Sequence, residues 1–495
     1  MIKLKSTALI LLTAAALAGC GAGAGAPPAA SSAGTAASTA AAAETSAGEK
    51  TADVKETTDG KETADGKDAG QHQTVIGELY KLSGEEANWK GLTGEEKLED
   101  FDYLYQTLKE NFPYLELIKR AKGVDMDKEY ETYRAKVEDT ETDMQFFVLI
   151  QQFIGKGGGT GHLDLLTPGF YDWMTEAYQQ EDGIPEEELP RMRLLAEEYT
   201  NAASAAAYGA MADVFQETMD RVAAHNAALA AAEPAASEPE TADVDPLDGL
   251  LTEEGETDNL RYGILSAETP KIAYIQINSF DMSCYEEDKI TLGGLYKAYE
   301  DFDHVIFDLT DNGGGGMSYF NDLMAAPNID RTLSANIYAL VKDGSLNRKI
   351  MDLSNYRPVS ELPSLPRMNQ DDLKELDLFL PDTYTVEPSG SEKVLKGKLW
   401  ILVNENVYSS SEYAAMFTKA TGFATLVGRV TGGDGIGEDP IPIVMKNSGL
   451  IVRYSPVYGV TPDGAGSQEF GTEPDIMAAD GESELAACLK AIKMQ

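Results

Sequence analysis

The stretch from Leu399 to Ala420 constrains the fold most, because it dictates a strand, a sharp turn and a helix in that order. Leu399-Trp-Ile-Leu-Val403 is an unbroken apolar run of strand length and reads as a buried strand. A short polar turn follows. Tyr413, Met416, Phe417 and Ala420 then fall at the i, i+3, i+4, i+7 spacing of one helical face. Ser409 thus stands at or just before a helix N-terminus, where unpaired N–H groups and the helix dipole favour negative charge. This is one way to present a nucleophile whose attack creates an oxyanion. Ser409-x-x-Glu412 equally fits a capping box, which requires no chemistry.

A second segment, Asp303-His-Val-Ile-Phe-Asp-Leu-Thr-Asp-Asn-Gly-Gly-Gly-Gly316, reads as a strand running into a glycine-rich turn. Consecutive glycines permit positive φ and a close approach of main chain to ligand. Their N–H groups can converge on one concavity and hold an anion. The run lacks the Lys-Ser/Thr of a phosphate-binding P-loop, and no G-x-G-x-x-G follows it. Nucleotide binding is disfavoured on that ground.

Together the two segments resemble a family of serine peptidases that includes the carboxy-terminal (tail-specific) processing proteases and the tricorn core. Asp308-Leu-Thr-Asp-Asn-Gly-Gly-Gly315 resembles the family's Asp-Leu-Arg-x-Asn-x-Gly-Gly. Ile272 to Phe280 resembles the strand before it, and Ser409-Ser-Ser-Glu412 the family's Ser-Ala-Ser-Glu, whose first serine is the nucleophile. Ala424-Thr-Leu-Val-Gly-Arg-Val-Thr-Gly432 and Gly471-Thr-Glu-Pro-Asp-Ile476 resemble the next strand and the closing turn. The five pieces keep the family's order. A fainter similarity reaches back through Asp100 to Pro113 and Thr160-Gly-His-Leu163. The resemblance implies an α/β fold, with a mixed-sheet ClpP/crotonase-like core, an N-terminal helical segment and a helical insertion. It also implies an oxyanion hole drawn from Gly313, Gly314 and the N–H of Ser410.

The processing proteases use a serine–lysine dyad, with the lysine in a Thr-x-Gly-Lys-Gly turn. Here that turn is Thr431-Gly-Gly-Asp-Gly435, so Asp434 holds the lysine position. A carboxylate cannot replace a neutral lysine by the same route. The tricorn-like branch instead uses Ser, His and Glu. Of the four histidines, His72, His162, His225 and His304, only His162 matches the family segment in place and surroundings. An unperturbed imidazole titrates near 6.5, which suits taking a serine proton at neutral pH. For the third member a gapless count lands on Gln468, beside Glu469; either can orient an imidazole, and Glu469 is favoured. The resemblance thus implies Ser409, His162 and Glu469 as the catalytic set.

The chain begins with a basic residue pair and an apolar stretch too short to span a bilayer, ending in Leu17-Ala-Gly-Cys20. This looks like a bacterial lipobox, so Cys20 is the expected lipidated N-terminus and the protein is expected outside the cytoplasm, anchored to the bacterial cell membrane. A formal charge of −43 argues against nucleic acid and against an electrostatic hold on anionic lipid. Histidines are few and unclustered, so neither metal nor cofactor is expected. Cys284 and Cys488 are left open, paired or free. The expected organisation is a leader over 1–20, a tether over 21–75, an N-terminal helical domain over 76–167, a helical insertion and acidic linker over 168–259, and the core over 260–495. No strand pattern suggests a PDZ domain between segment and core. Within this frame, a surface-tethered serine endopeptidase acting on polypeptides competes with an inactive relative that binds peptides or a partner protein. A solute-binding lipoprotein would account for the leader but not for the ordered core motifs.

Overall fold

The computed structural model describes residues 65–179, 186, 188–232, 247 and 249–494. The leader, Cys20 and most of the expected tether and acidic linker therefore lie outside the described residues. The tether ends sooner than its composition suggests. Asp65–Tyr80 is a helix, because Val75, Ile76 and Leu79 give it a face to bury. The acidic linker is also shorter: the helix Ala202–Ala232 runs into it from one side and a strand begins at Thr252 on the other.

In chain order the strands are β1 (Asp164–Leu165), β2 (Thr252–Glu256), β3 (Leu260–Ser266), β4 (Ile272–Ile277), β5 (His304–Asp308), β6 (Leu333–Val341), β7 (Arg357–Pro358), β8 (Leu378–Val386), β9 (Lys398–Val403), β10 (Thr425–Gly428), β11 (Ile441–Val444), β12 (Ile451–Tyr454), β13 (Val457–Val460) and β14 (Ile476–Met477). Seven form the central sheet, in the order β14-β10-β9-β5-β4-β3-β2. The pairs from β14 to β4 are parallel, and β3 and β2 extend the sheet antiparallel. Strands β5 and β9 are buried almost throughout, as continuous apolar runs in a parallel sheet must be. A four-stranded sheet (β13-β6-β8-β7) and a three-stranded one (β1-β12-β11) complete the core.

The N-terminal helices carry the expected apolar faces. Phe101, Leu104 and Leu108 on the helix Gly94–Asn111 are fully buried, as is Phe112 at its end. The helix Asp143–Gly155 is apolar nearly all round, and its buried side chains belong to the same continuous core as those of the central sheet. This half shares one continuous apolar core with the sheets, and polar contacts cross between them at several places, among them Asp100 with the Asn447 and Ser448 N–H groups and Asn111 with Asn347. Strand β1 pairs antiparallel with β12, matching Asp164 to Arg453 and Leu165 to Val452. The Asp164 carboxylate adds an ion pair to the Arg453 guanidinium at 3.0 Å.

Candidate active site

Strands β4, β5, β9 and β10 are parallel, so their carboxyl ends meet on one side of the sheet, and the candidate residues lie on the turns that leave those ends. An open parallel sheet gathers ligands there because its turns are free to differ. The turn after β9 ends at Ser409, and the helix Ser410–Thr421 starts on the next residue. Ser409 has φ 58° and ψ −125°, a conformation that non-glycine residues avoid. Its side chain makes no capping bond, so the capping box does not form. Glu412 instead turns inward, where its Oε1 accepts from Thr472 Oγ1 at 2.7 Å. Ala420 is exposed, whereas Ala414 and Ala415 are buried with Tyr413, Met416 and Phe417, so the helix is embedded on all sides for its first two turns.

Asn312 ties the glycine turn to this elbow. Its side chain donates to Ile277 O at 3.0 Å and accepts from Gly314 N–H at 3.0 Å. Its carbonyl accepts from Ser411 Oγ at 2.6 Å and from Tyr408 N–H at 3.3 Å. Gly314, at φ 107°, lies so close that a Cβ there would sit 2.9 Å from Ser409 Cβ and 3.0 Å from Ser410 N. Only glycine fits. The N–H of Gly314 is spent on Asn312, which removes it as an oxyanion donor. The N–H groups of Gly313 and Ser410 carry no hydrogen bond among the described residues.

His162 reaches this region from the N-terminal half. It closes a short 3-10 turn, Thr160–His162, and has φ 49°. Gly161 before it leaves room for Tyr114, whose ring would meet a Cβ at 2.4 Å. The imidazole Nδ1 lies 2.7 Å from Asp434 Oδ2. The ring stands 4.9 Å from that of Tyr408, the residue before Ser409. Ser409 N–H in turn donates to the carbonyl of Gly433, the residue before Asp434, at 3.1 Å. The serine and the imidazole therefore flank one Gly433–Asp434 pair. Among the described residues, nothing hydrogen-bonds to Nε2.

Asp434, which replaces the dyad lysine in sequence, is the carboxylate on the imidazole. Counting along the motif did not find it. Its exposure is 6% and its φ is 59°. Ser455 Oγ lies 2.9 Å from its Oδ2, Tyr408 OH 3.3 Å from the same oxygen, and Tyr114 OH 3.2 Å from Oδ1. Burial and the Asp434 charge hold the Tyr114 hydroxyl well above the ordinary tyrosine range, so it stays a donor. Glu469, favoured from sequence for the orienting role, is elsewhere. Its two oxygens receive the Arg120 guanidinium at 2.7 and 2.8 Å, and Arg120 also holds Asp372. Gln468 is nearer: its Oε1 accepts from Gly161 N–H at 2.8 Å and faces Tyr408 OH at 2.9 Å, so it braces the histidine loop without touching the imidazole. Ser409, His162 and Asp434 are three of the five non-glycine residues at positive φ among those described. Such strain persists only where surrounding structure enforces it, and it clusters at functional sites.

Two further titratable groups are engaged elsewhere. Lys419 pairs with Asp475 at 2.6 Å, and His304 Nδ1 accepts from Trp400 Nε1 at 3.1 Å. Cys284 and Cys488 are both free thiols. No described helix is long and apolar enough to cross a membrane.

Residues 271–478 match the model of peptidase family S41, and residues 93–155 match that of the tricorn protease C1 domain. No curated protein matches the chain. Among solved structures, mature CPAF is similar at 14% identity, with 81% of this chain and 96% of that chain covered and a TM-score of 0.49. A lipoprotein from Streptococcus agalactiae is similar at 12% identity, covering 81% and 96%, with a TM-score of 0.41. The photosystem II D1 C-terminal processing protease is similar at 16% identity over 45% of this chain and 49% of that chain, with a TM-score of 0.31.

Proposed function

We propose that the chain, whose residues 271–478 match the model of peptidase family S41, is a serine peptidase that cleaves internal peptide bonds through Ser409, His162 and Asp434. The observation that carries this reading is the 2.7 Å contact of His162 Nδ1 with a buried aspartate, beside a serine held at positive φ. A carboxylate at Nδ1 favours the tautomer with its proton there, which leaves Nε2 as an acceptor for the serine hydroxyl proton. Ser409 Oγ attacks the scissile carbonyl as Nε2 takes its proton. The N–H groups of Gly313 and Ser410 then receive the oxyanion, and being main chain they need no reorganisation. The imidazolium next protonates the departing amine. A water, deprotonated by the same nitrogen, releases the acyl group from Ser409. Asp434 takes over the orienting role first assigned to Glu469.

The endopeptidase reading rests on two arginines carried by elements that also contribute to the site. Arg120 is held by two carboxylates, and Arg453, buried beside β1, pairs with Asp164. Neither offers a substrate carboxylate a partner, which supports internal cleavage over recognition of a free carboxyl terminus. We further propose lipid anchoring through Cys20, on the strength of Leu17-Ala-Gly-Cys20, and action on polypeptides outside the cytoplasm. A serine-reactive fluorophosphonate probe tests the site. Wild type is expected to be labelled once, and Ser409→Ala not at all. Undiminished labelling of Ser409→Ala would sink the assignment. Metabolic labelling with a fatty acid, lost in Cys20→Ala, tests the anchor.

A further inference from the structure

The glycine turn that packs on Ser409 has a second neighbour, the chain leaving β4. Phe280 N–H donates to Gly314 O at 2.9 Å, and Gly316 N–H donates to Phe280 O at 2.8 Å. Asp281 and Met282 therefore stand on the lip of that turn. The Met282 thioether lies across Gly316, where a Cβ would sit 2.5 Å from its Sδ, and the side chain is 43% exposed. The opposite half of the protein reaches the same lip. The helix Pro168–Tyr178 begins shortly after His162, and its Trp173 Nε1–H donates to Asp281 Oδ2 at 3.3 Å. Trp173 is 39% exposed, and Phe170 stacks on it with ring centroids 5.7 Å apart. The Arg453 guanidinium, fixed by Asp164, lies 4.4 Å from the centre of the Phe170 ring and backs the pair.

Exposed apolar side chains scattered singly need no explanation. These are not scattered. Trp173 comes from the segment that supplies His162, Met282 from the segment bonded to the glycine turn, and the Trp173–Asp281 bond brings the two together beside Ser409. Sites that hold a ligand are lined mostly by apolar and aromatic side chains, with a few polar groups to fix orientation. Both oxygens of Asp281 are already engaged, Oδ1 by Ser283 N–H at 2.9 Å and Oδ2 by Trp173, so neither awaits a cationic side chain. An acidic side chain would meet the Asp281 charge. We propose that Trp173, Phe170 and Met282 form a subsite for a large apolar or aromatic side chain of the polypeptide, carried within a few residues of the bond to be cut. An indole ring and a thioether suit that occupant, because aromatic rings and sulfur both pack favourably on other rings. The inference rests on the peptidase reading above and names the kind of sequence it would select.

Arrays of immobilised short peptides, probed with the Ser409→Ala protein, read the subsite without turnover. Bound peptides are expected to be enriched in Phe, Trp, Leu or Met. Replacing that one residue by Asp or Lys should weaken binding about ten- to hundredfold, the range for burying one large apolar side chain. Adding Trp173→Ala is expected to lower binding of the apolar peptides about tenfold and to erase the ranking among them. Trp173→Phe keeps a ring but loses the bond to Asp281, and is expected to keep the ranking. Should Trp173→Ala fail to unfold cooperatively, Met282→Ser, at an exposed position, takes its place with the same expected loss. No binding to any peptide, a preference for charged side chains, or an unchanged ranking in the folded variant would overturn the proposal. A ranking lost in Trp173→Phe would make the tie to Asp281 the determinant and overturn it too. Wild type digesting an unfolded polypeptide is then expected to cut within a few residues of a large apolar side chain. If the arrays behave as expected but wild type cuts nothing, the subsite stands and the peptidase reading falls. If wild type cuts with no such preference, the peptidase reading stands and the subsite falls.

Discussion

On the side of the proposed nucleophile, Ser409 is placed almost wholly by main chain. Its N–H is held by Gly433 O, its helix begins one residue later, and Gly314 packs against it with no room for a side chain. On the side of the proposed base, His162 is placed by side chains: Asp434, Ser455, the Tyr408 ring, and Gln468 behind the loop. The difference follows the chemistry. Donors for an oxyanion must not move, and amides fixed by strand ends and glycines satisfy that. A proton must come and go at the imidazole, which requires groups that accept or give hydrogen without a main-chain shift.

The contrast can be broken most directly at Asp434. Asp434→Asn keeps the size of the side chain but can donate to Nδ1, stabilising the unproductive tautomer. We expect kcat to fall about 10⁴-fold, as loss of the orienting carboxylate does in a comparable triad, with the far-UV spectrum unchanged. A loss below about tenfold would show that side chains do not govern the base, since a wrong tautomer costs far more than one hydrogen bond. Gly314→Ala attacks the other half. Its Cβ must displace Tyr408 O or Ser410 N, which spoils one oxyanion donor, and removal of one donor costs about 10²–10³ in kcat. Steady-state kinetics on an unfolded polypeptide measure both variants. A Gly314→Ala enzyme with wild-type kcat would place the oxyanion hole elsewhere.

Glu412 sharpens the contrast through pH. It is a second buried carboxyl beside the same elbow, but its Oε2 has no partner while Asp434 is ringed by donors. Burial, opposed by the Thr431 and Thr472 hydroxyls and reinforced by the Asp434 charge, pushes it up to about 8. An unfolded chain titrates the same group near 4.3. Between these values the folded protein holds a proton that the unfolded one releases. Stability therefore falls as pH rises from about 4.3 to about 8 and levels off beyond. The ceiling on this loss is roughly 5 kcal/mol, at about 1.4 kcal/mol per pH unit. Urea unfolding at pH 5 and pH 8 should show a smaller difference for Glu412→Gln than for wild type; equal differences would refute the assignment. The smallest effect is expected at Glu469. Its charge serves Arg120, so Glu469→Gln should change kcat less than about threefold, no more than a partly exposed ion pair is worth. A large drop in kcat with wild-type stability would restore it as the orienting residue.

The parts legible in sequence were those whose signal is contiguous. The apolar run Leu399–Val403, the glycine turn after Asp308 and the serine before an apolar helix each declare themselves within a dozen residues. His162 could be placed because a glycine-rich loop and a family segment coincide there. Asp434 was in view but was read only as a missing lysine, since its partner is decided by where a turn after β10 meets a loop 272 residues earlier. One signal was available: an aspartate between Gly433 and Gly435, where a tight turn tolerates positive φ. Glu469 was misjudged because adjacency to a motif says nothing of Arg120, which arrives from the helix Leu115–Lys122. The four-stranded sheet was not foreseen either. Its strands β6 and β8 pair over nine residues each but are separated by short elements that blur the alternation.

The short ladder between β1 and β12 also bears on when the proposed site can close. It joins Asp164 to Arg453 across 289 residues, and closure over such a span costs chain entropy before any contact repays it. The elbow and the glycine turn can assemble from the core sheet alone. The base is supplied by a segment made before them, yet it is fastened by Asp434 and Ser455, which are made after. A ribosome must therefore pass Ser455 before the proposed catalytic set can close. Until then the nascent chain carries Ser409 without its proposed base, and on that reading has no assembled site with which to cut itself or its neighbours.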